Sequence, residues 1–359
     1  MSTFPAPVPA DHTPALSLLK RRWSIYTPGE LKKRRHKLAG AKYLISGLLP
    51  HRSISIFVGD SGLGKSPLLY QAALCVAAGI PFLGRPVSQG RVLYLDFENG
   101  LGDVDDLTDR LAQHLGLLKK PDDLLLWNFN DAPSNWQPSQ LADMIRDAQP
   151  AWVIIDSLSA YSPDIEEKSS NVTRVYQELR KIIREVQTNV TVVHHLRKPS
   201  SKPEEAPASL QDDPHRWFLQ ARGTRQLVNG ADVRIGVDEN AIANFQTELD
   251  GKAAETAFVL GGFGRVRGKL AAVYVGRVFG EDGEPVGYRV LAGASLLFNS
   301  GQQTAYRDLP DTFSFTQAQR IYARGAQATT DFLKKCCNVG ILSKAGREYR
   351  KVRVAEQAE

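Results

Sequence analysis

Short, almost wholly apolar runs punctuate the first two-thirds of the chain: Ile54 to Val58, Val92 to Leu95, Leu124 to Phe129, Ala151 to Ile155 and Val190 to Val193. Runs of that length, bounded by polar residues, predict strands buried on both faces. Between them lie stretches predicted as helices: Leu68 to Ala78, Leu101 to Leu117, Ser139 to Ala148 and the amphipathic Val172 to Val186. Strand and helix in alternation imply a mostly parallel central sheet with helices on both faces, an α/β fold. A further strand is expected near Val233 to Val237. From Thr256 to Leu291 the pattern changes to two-residue alternation, with turn signals at Gly261-Gly262 and Asp282-Gly283, so antiparallel hairpins should extend the sheet. Leu158 to Asn171 and Ser200 to His215 lack periodicity and read as loops. The second is long enough to be functional or disordered.

The two ends read differently. Residues 1–22 are proline-rich and form a predicted flexible arm, and residues 23–49 lead into the first long strand. That lead-in carries Lys32-Lys33-Arg34-Arg35-His36-Lys37, a solvated helix face or, alternatively, a nucleic-acid or subunit contact. An ATPase-type domain is expected over 23–300 and a separate module over 311–359. In the latter, Phe313 to Tyr322 and Ala326 to Cys337 predict two helices. Gly340 to Arg350 predicts strand, glycine turn and strand, which together make the winged-helix pattern. Phe315, Ala318, Ile321, Phe332, Leu333, Val339 and Leu342 would supply its core. Its excess of Lys and Arg suits duplex DNA, with Gln327, Thr330 and Lys334 on the second helix and Arg347 and Arg350 on the hairpin as contacts. A protein-docking module is the alternative.

Composition narrows the class. The chain has 359 residues, 42% hydrophobic, with a net charge of +6. Its three cysteines, Cys75, Cys336 and Cys337, make neither a C-x-x-C pair nor a Cys/His group, so neither a zinc site nor a disulfide framework is expected. No apolar run approaches the roughly 18 residues of a membrane span, and a cytoplasmic location with no membrane partner follows.

The chemistry concentrates after the first long strand. Gly59-Asp60-Ser61-Gly62-Leu63-Gly64-Lys65-Ser66 fits G-x-x-x-x-G-K-[ST], between a buried strand and a helix. Backbone N–H groups of such a loop wrap phosphates, Lys65 reaches the terminal ones, and the Ser66 hydroxyl ligates Mg²⁺. Pro67 falls in the first helical turn, where a missing N–H costs little. ATP and Mg²⁺ are the implied ligands. Asp156, closing an apolar strand, is placed to hold the metal through water or else to cap the following turn. Glu98 is the candidate to polarise the attacking water, and Asp96 remains an alternative. His195 or its neighbour His194 is placed to sense the γ-phosphate. Arg222, Arg225 and Arg234 offer charge that could reach a neighbouring subunit's phosphates. All these groups lie at carboxyl ends of strands or just beyond them, where open α/β sheets bind ligands.

Taken together, GLLPHRSISIFVGDSGLGKS, AGIPFLGRPVSQGRVLYLDFENG, WVIIDSLSAYSP, VTVVHHLRKP and ARGTRQLVNGADV resemble the RecA-like ATPases of the plasmid RepA helicase type (the AAA_25 family). The resemblance covers about residues 40–240. It implies a RecA-like core with Lys65 and Ser66 on phosphate and Mg²⁺, Glu98 as catalytic glutamate, Asp156 as metal acid and His195 as sensor. It further implies a homo-oligomeric ring, a hexamer, with single-stranded DNA in its channel touched by the loops after Asp156 and His195, including Arg197 and Lys198. An arginine finger is expected at Arg222 or Arg234. Pro67 stands where a Thr or a similar residue is usual. The function so implied is an ATP-driven DNA motor serving replication of a plasmid, phage or other mobile element. The alternative is an ATP-gated DNA-binding regulator or loader that separates no strands.

Overall fold

The structure is a computed structural model that describes residues 27–37, 43–197, 210, 213–239, 257–265, 268–290, 298, 300–338 and 341–352. The chain divides into two units, Met1–Lys42 and Tyr43–Glu359. In the first, helix α1 (Pro28–Lys37) starts at Thr27, whose hydroxyl accepts the Glu30 N–H while the Glu30 carboxylate accepts the Thr27 N–H at 2.7 Å. That reciprocal cap and Pro28 in the first turn explain the start of the helix. Lys32 and Lys33 are exposed on it.

The second unit opens with a small hairpin, β1 (Tyr43–Ile45) and β2 (Leu49–Pro50). Strands and helices then alternate: β3 (Ile54–Gly59), α2 (Lys65–Ala78), β4 (Val92–Asp96), α3 (Leu101–His114), β5 (Leu124–Asn128), α4 (Leu141–Ala148), β6 (Trp152–Asp156), α5 (Ser169–Val186), β7 (Asn189–His195), α6 (Arg225–Gly230) and β8 (Val233–Glu239). Antiparallel strands follow: β9 (Ala257–Gly264), β10 (Gly268–Phe279) and β11 (Pro285–Val290). One sheet of nine strands runs β11-β10-β9-β8-β3-β7-β6-β4-β5. From β8 to β5 every pairing is parallel, and from β8 to β11 every pairing is antiparallel. The α/β class, the mostly parallel sheet and its antiparallel extension are as the pattern predicts. The stretch expected to be a loop after β6 instead contains two short helical turns, Leu158–Tyr161 and Pro163–Glu166. Most of the second predicted loop, residues 200–209 and 211–212, lies outside the described residues.

Alternation along each strand sends side chains to two cores. Ile54, Ile56 and Val58 of β3 join Val153 and Ile155 of β6 under α4 and α5. Phe57 of β3 joins Tyr94 of β4 and Ile154 of β6 under α2. Helix α2 is buried almost all round, with Leu68, Leu69, Tyr70, Leu74, Cys75 and Val76 each under 5% exposed. A helix apolar on every side must be enclosed. The enclosure is completed by the β10–β11 hairpin, which curls over α2. Gln71 of α2 donates to the Tyr288 carbonyl at 3.0 Å and accepts the Tyr288 N–H at 2.8 Å. The helix stops at Gly79, whose left-handed backbone (φ +74°) lets its N–H cap the final turn.

The C-terminal residues have a core of their own. Helix α7 (Ser300–Asp308), β12 (Thr312–Ser314), α8 (Phe315–Tyr322), α9 (Ala326–Asn338), β13 (Leu342–Ala345) and β14 (Glu348–Lys351) surround it, with strand order β12-β14-β13. Ala318, Phe332, Leu333 and Leu342 are buried there as expected, and Phe315 and Ile321 pack against them. Val339 lies outside the described residues. Phe298, Ala305, Tyr306 and Leu309, which precede the start expected at residue 311, belong to the same core. Helix α7 was missed because SGQQTAYRD is largely polar.

Candidate active site

Strand β3 delivers the glycine loop to the sheet's carboxyl edge, and α2 begins at once behind it. Gly64 sits at the N-cap with φ +81°, a conformation that side chains resist. No side chain caps this helix and no acid lies in its first turn, so its N–H groups remain available to an external anion. Pro67 is the third helical residue, where no intrahelical partner exists for an N–H, which explains its tolerance. Lys65 is only 6% exposed, and its Nζ donates to the Asp60 carbonyl at 2.8 Å. Burial lowers its pKa, while the charges of Asp156, Glu98 and Asp60 pull it back up.

The two strand-end aspartates differ in role. Asp156, closing β6, accepts the Tyr94 hydroxyl at 2.7 Å and a hydrogen bond from Ser66. Burial pushes its pKa up to about 6, against those two hydrogen bonds. A hydroxyl and a carboxylate side by side fit Mg²⁺, which takes oxygen donors and keeps several waters. Among the described residues no group of three His, Cys, Asp or Glu side chains is built for a metal. Asp96, closing β4, is consumed structurally. Its Oδ2 accepts the Tyr70 hydroxyl at 2.6 Å and Asn99 Nδ2 at 2.8 Å. Its Oδ1 accepts the N–H groups of Glu98 and Asn99 at 2.9 and 2.8 Å. The Tyr70 and Tyr94 rings stack at 3.8 Å beneath the two acids.

Glu98 lies past the end of β4, on the turn that Asp96 ties down, so strand alternation does not extend to it. Its side chain is 41% exposed and accepts a short hydrogen bond from Ser157. His195 Nε2 stands 3.6 Å from Glu98 Oε1, too far for a full hydrogen bond. That ring holds the Glu98 carboxyl below its usual range, helped by Ser157 and by the charge on Lys65, while partial burial opposes them. His194 is different: it is fully buried, and its Nε2 bonds the Arg222 carbonyl at 2.8 Å. Of the two histidines, only His195 faces the site. Ser157 escaped the sequence reading, though its place beside Asp156 was a usable signal.

The arginines separate by burial. Arg234 is 5% exposed and gives its guanidinium to the Val228 and Asn229 carbonyls, over the Phe263 ring at 5.1 Å. These contacts engage it within its own subunit, whereas the sequence offered it to a neighbouring one. Arg222 is 60% exposed and paired with Glu166 at 2.6 Å. Arg225, at the start of α6, is exposed. Arg197 is exposed, but it bonds the Ala221 and Gly223 carbonyls; Lys198 lies outside the described residues. On the C-terminal module Gln327, Lys334, Arg347 and Arg350 are exposed and Thr330 half-buried.

The AAA_25 family model, described as an AAA domain, matches residues 30–201, a span that holds the glycine loop, Glu98, Asp156 and His195. Among solved structures, the RadB recombinase is similar at 17% identity and a TM-score of 0.44, over 73% of this chain and 97% of that one. A KaiC-like protein from the hyperthermophilic archaeon Pyrococcus horikoshii is similar at 14% identity and a TM-score of 0.42, over 69% and 94%. No curated protein matches the sequence. Among the described residues no helix is long and apolar enough to cross a membrane.

Proposed function

We propose that the chain is an ATP-hydrolysing, ring-forming DNA motor of the replicative helicase type, serving a plasmid, phage or other mobile element. The observation that carries this reading is the pairing of Glu98 with Ser157 and His195 at the same sheet edge as Lys65, Ser66 and Asp156. ATP enters the glycine loop, and Lys65 exchanges the Asp60 carbonyl for the terminal phosphates. Ser66 directly and Asp156 through water would hold Mg²⁺, which would neutralise charge building on the phosphates. Glu98, kept ionised by its neighbours, accepts the proton of the attacking water. His195 lies next to Glu98, so loss of the γ-phosphate reaches the strand end that continues into Arg197 and Lys198. Those two residues contact single-stranded DNA in a hexamer's channel, and Arg222 or Arg225 completes a neighbour's site.

The C-terminal module's order of helix, strand, two helices and hairpin supports reading it as a winged helix. Its second long helix, α9, offers Gln327, Thr330 and Lys334 to a duplex groove, and Arg347 and Arg350 neutralise phosphate. The domain division follows, with the module beginning by Phe298. The test is ATP hydrolysis with and without single-stranded DNA, then strand displacement on a forked duplex. DNA-stimulated hydrolysis without displacement would replace the motor by an ATP-gated regulator or loader. Absence of hydrolysis would remove both.

A further inference from the structure

Strands β10 and β11 extend the sheet beyond β9, yet their hairpin also reaches the mouth of the glycine loop. The hydrogen bonds that the Gln71 amide gives to and takes from the Tyr288 backbone clamp β11 to the second turn of α2. So held, Tyr288 donates its phenol to the Gly64 carbonyl at 3.3 Å. Arg277 is the cross-strand partner of Tyr288, and its guanidinium hydrogen-bonds that phenol. A side-chain carbon built on Gly64 would lie 2.5 Å from Arg277 Nη2 and 2.7 Å from the Tyr288 hydroxyl. A guanidinium and a phenol therefore fill the flank that glycine leaves open, at the residue that caps the anion-ready helix.

Arg277 has no carboxylate partner among the described residues, and its Nε is shut off from solvent without a hydrogen-bond partner. A cation held this way carries an unrepaid desolvation cost. A phosphate with several acceptor oxygens would repay it through charge-assisted, forked hydrogen bonds. We propose that Arg277 is a nucleotide ligand contributed by the same subunit, binding a phosphate common to ADP and ATP, with Tyr288 positioning its guanidinium. The site then has two cations with separate tasks. Lys65 serves the terminal phosphates, and Arg277 reads the diphosphate whether or not a γ-phosphate is present. The proposal rests on the glycine loop being a nucleotide site.

The test uses the full chain titrated with fluorescent ADP and ATP, alongside pyrophosphate as competitor. R277A should weaken both nucleotides by the same factor, about tenfold or more as expected for a hydrogen bond between charged groups. Pyrophosphate should compete less well with the labelled nucleotide than it does in the wild type, because the contact is to phosphate and not to the base. R277Q keeps the stem and loses only the charge, so the same loss there rules out misfolding as its cause. R277A and R277Q that bind both nucleotides like the wild type, while K65A loses them, would overturn the proposal and leave Arg277 as a buttress of the loop. A loss confined to ATP would also overturn it. Undiminished binding in K65A would remove the glycine-loop reading itself, and this inference with it.

Discussion

Asp96 and Glu98 are two residues apart, and one substitution in each tests which is the structural acid and which the proposed catalytic one. Asp96 is 2% exposed and accepts four hydrogen bonds, from the Tyr70 hydroxyl, the Asn99 amide and two backbone N–H groups. In D96N the amide oxygen keeps the two backbone donors, while Tyr70 and Asn99 must turn round to accept. Four charge-assisted bonds then become neutral ones of about half the strength, a total cost of about 2–4 kcal/mol. At roughly 2–4 °C per kcal/mol, the melting temperature should fall by about 5–15 °C. Glu98 is 41% exposed, and a glutamine oxygen there still accepts from Ser157. E98Q should therefore melt within about 0.5 kcal/mol of the wild type. Its turnover should fall about 10²–10⁴-fold, because the amide cannot take the water's proton. Thermal denaturation, nucleotide titration and steady-state hydrolysis on the two variants read out both effects. A D96N protein with wild-type melting and no turnover, beside an active E98Q, would refute the assignment.

The arginines give a second contrast. R222A or R225A should leave nucleotide binding intact and lower hydrolysis by up to about 10³-fold or more if either completes a neighbour's site. Mixing the R222A protein with K65A protein should then restore activity in trans. R234A should instead lower stability by about 1–3 kcal/mol, since it strips two buried carbonyls of their donor. A fragment beginning at residue 311 should not fold, whereas one beginning at residue 292 should. The shorter piece lacks Phe298, Tyr306 and Leu309, each worth about 1.5–3 kcal/mol of burial; circular dichroism and a cooperative melt distinguish the two. Neutralising Arg347 and Arg350 together should weaken duplex binding equally on all sequences. The salt dependence should flatten by about one unit of slope per contact, measured by titration across salt concentrations.

By itself the sequence determined the features whose cause is local. Short, almost wholly apolar runs bounded by polar residues read as strands buried on both faces, so β3, β4, β6 and β7 were legible, and so was the glycine loop between strand and helix. The polar groups that end those runs, Asp156 and His195, were legible because they fall at the carboxyl ends of the strands, where open α/β sheets bind ligands. Tertiary structure decided every choice among like residues. Asp96 was set apart from Glu98 by Tyr70, which reaches it from α2, and His194 from His195 by the carbonyl of Arg222. Arg234 was withdrawn from the candidates by carbonyls and a ring that pack over it. Tyr288 touches Gly64 from 224 residues away, and in the sequence Arg277 is one more charged residue on a strand that alternates. Local pattern records whether a position is buried. Which distant group shares that burial depends on how the β10–β11 hairpin closes over α2, and that packing leaves no periodic trace along the chain.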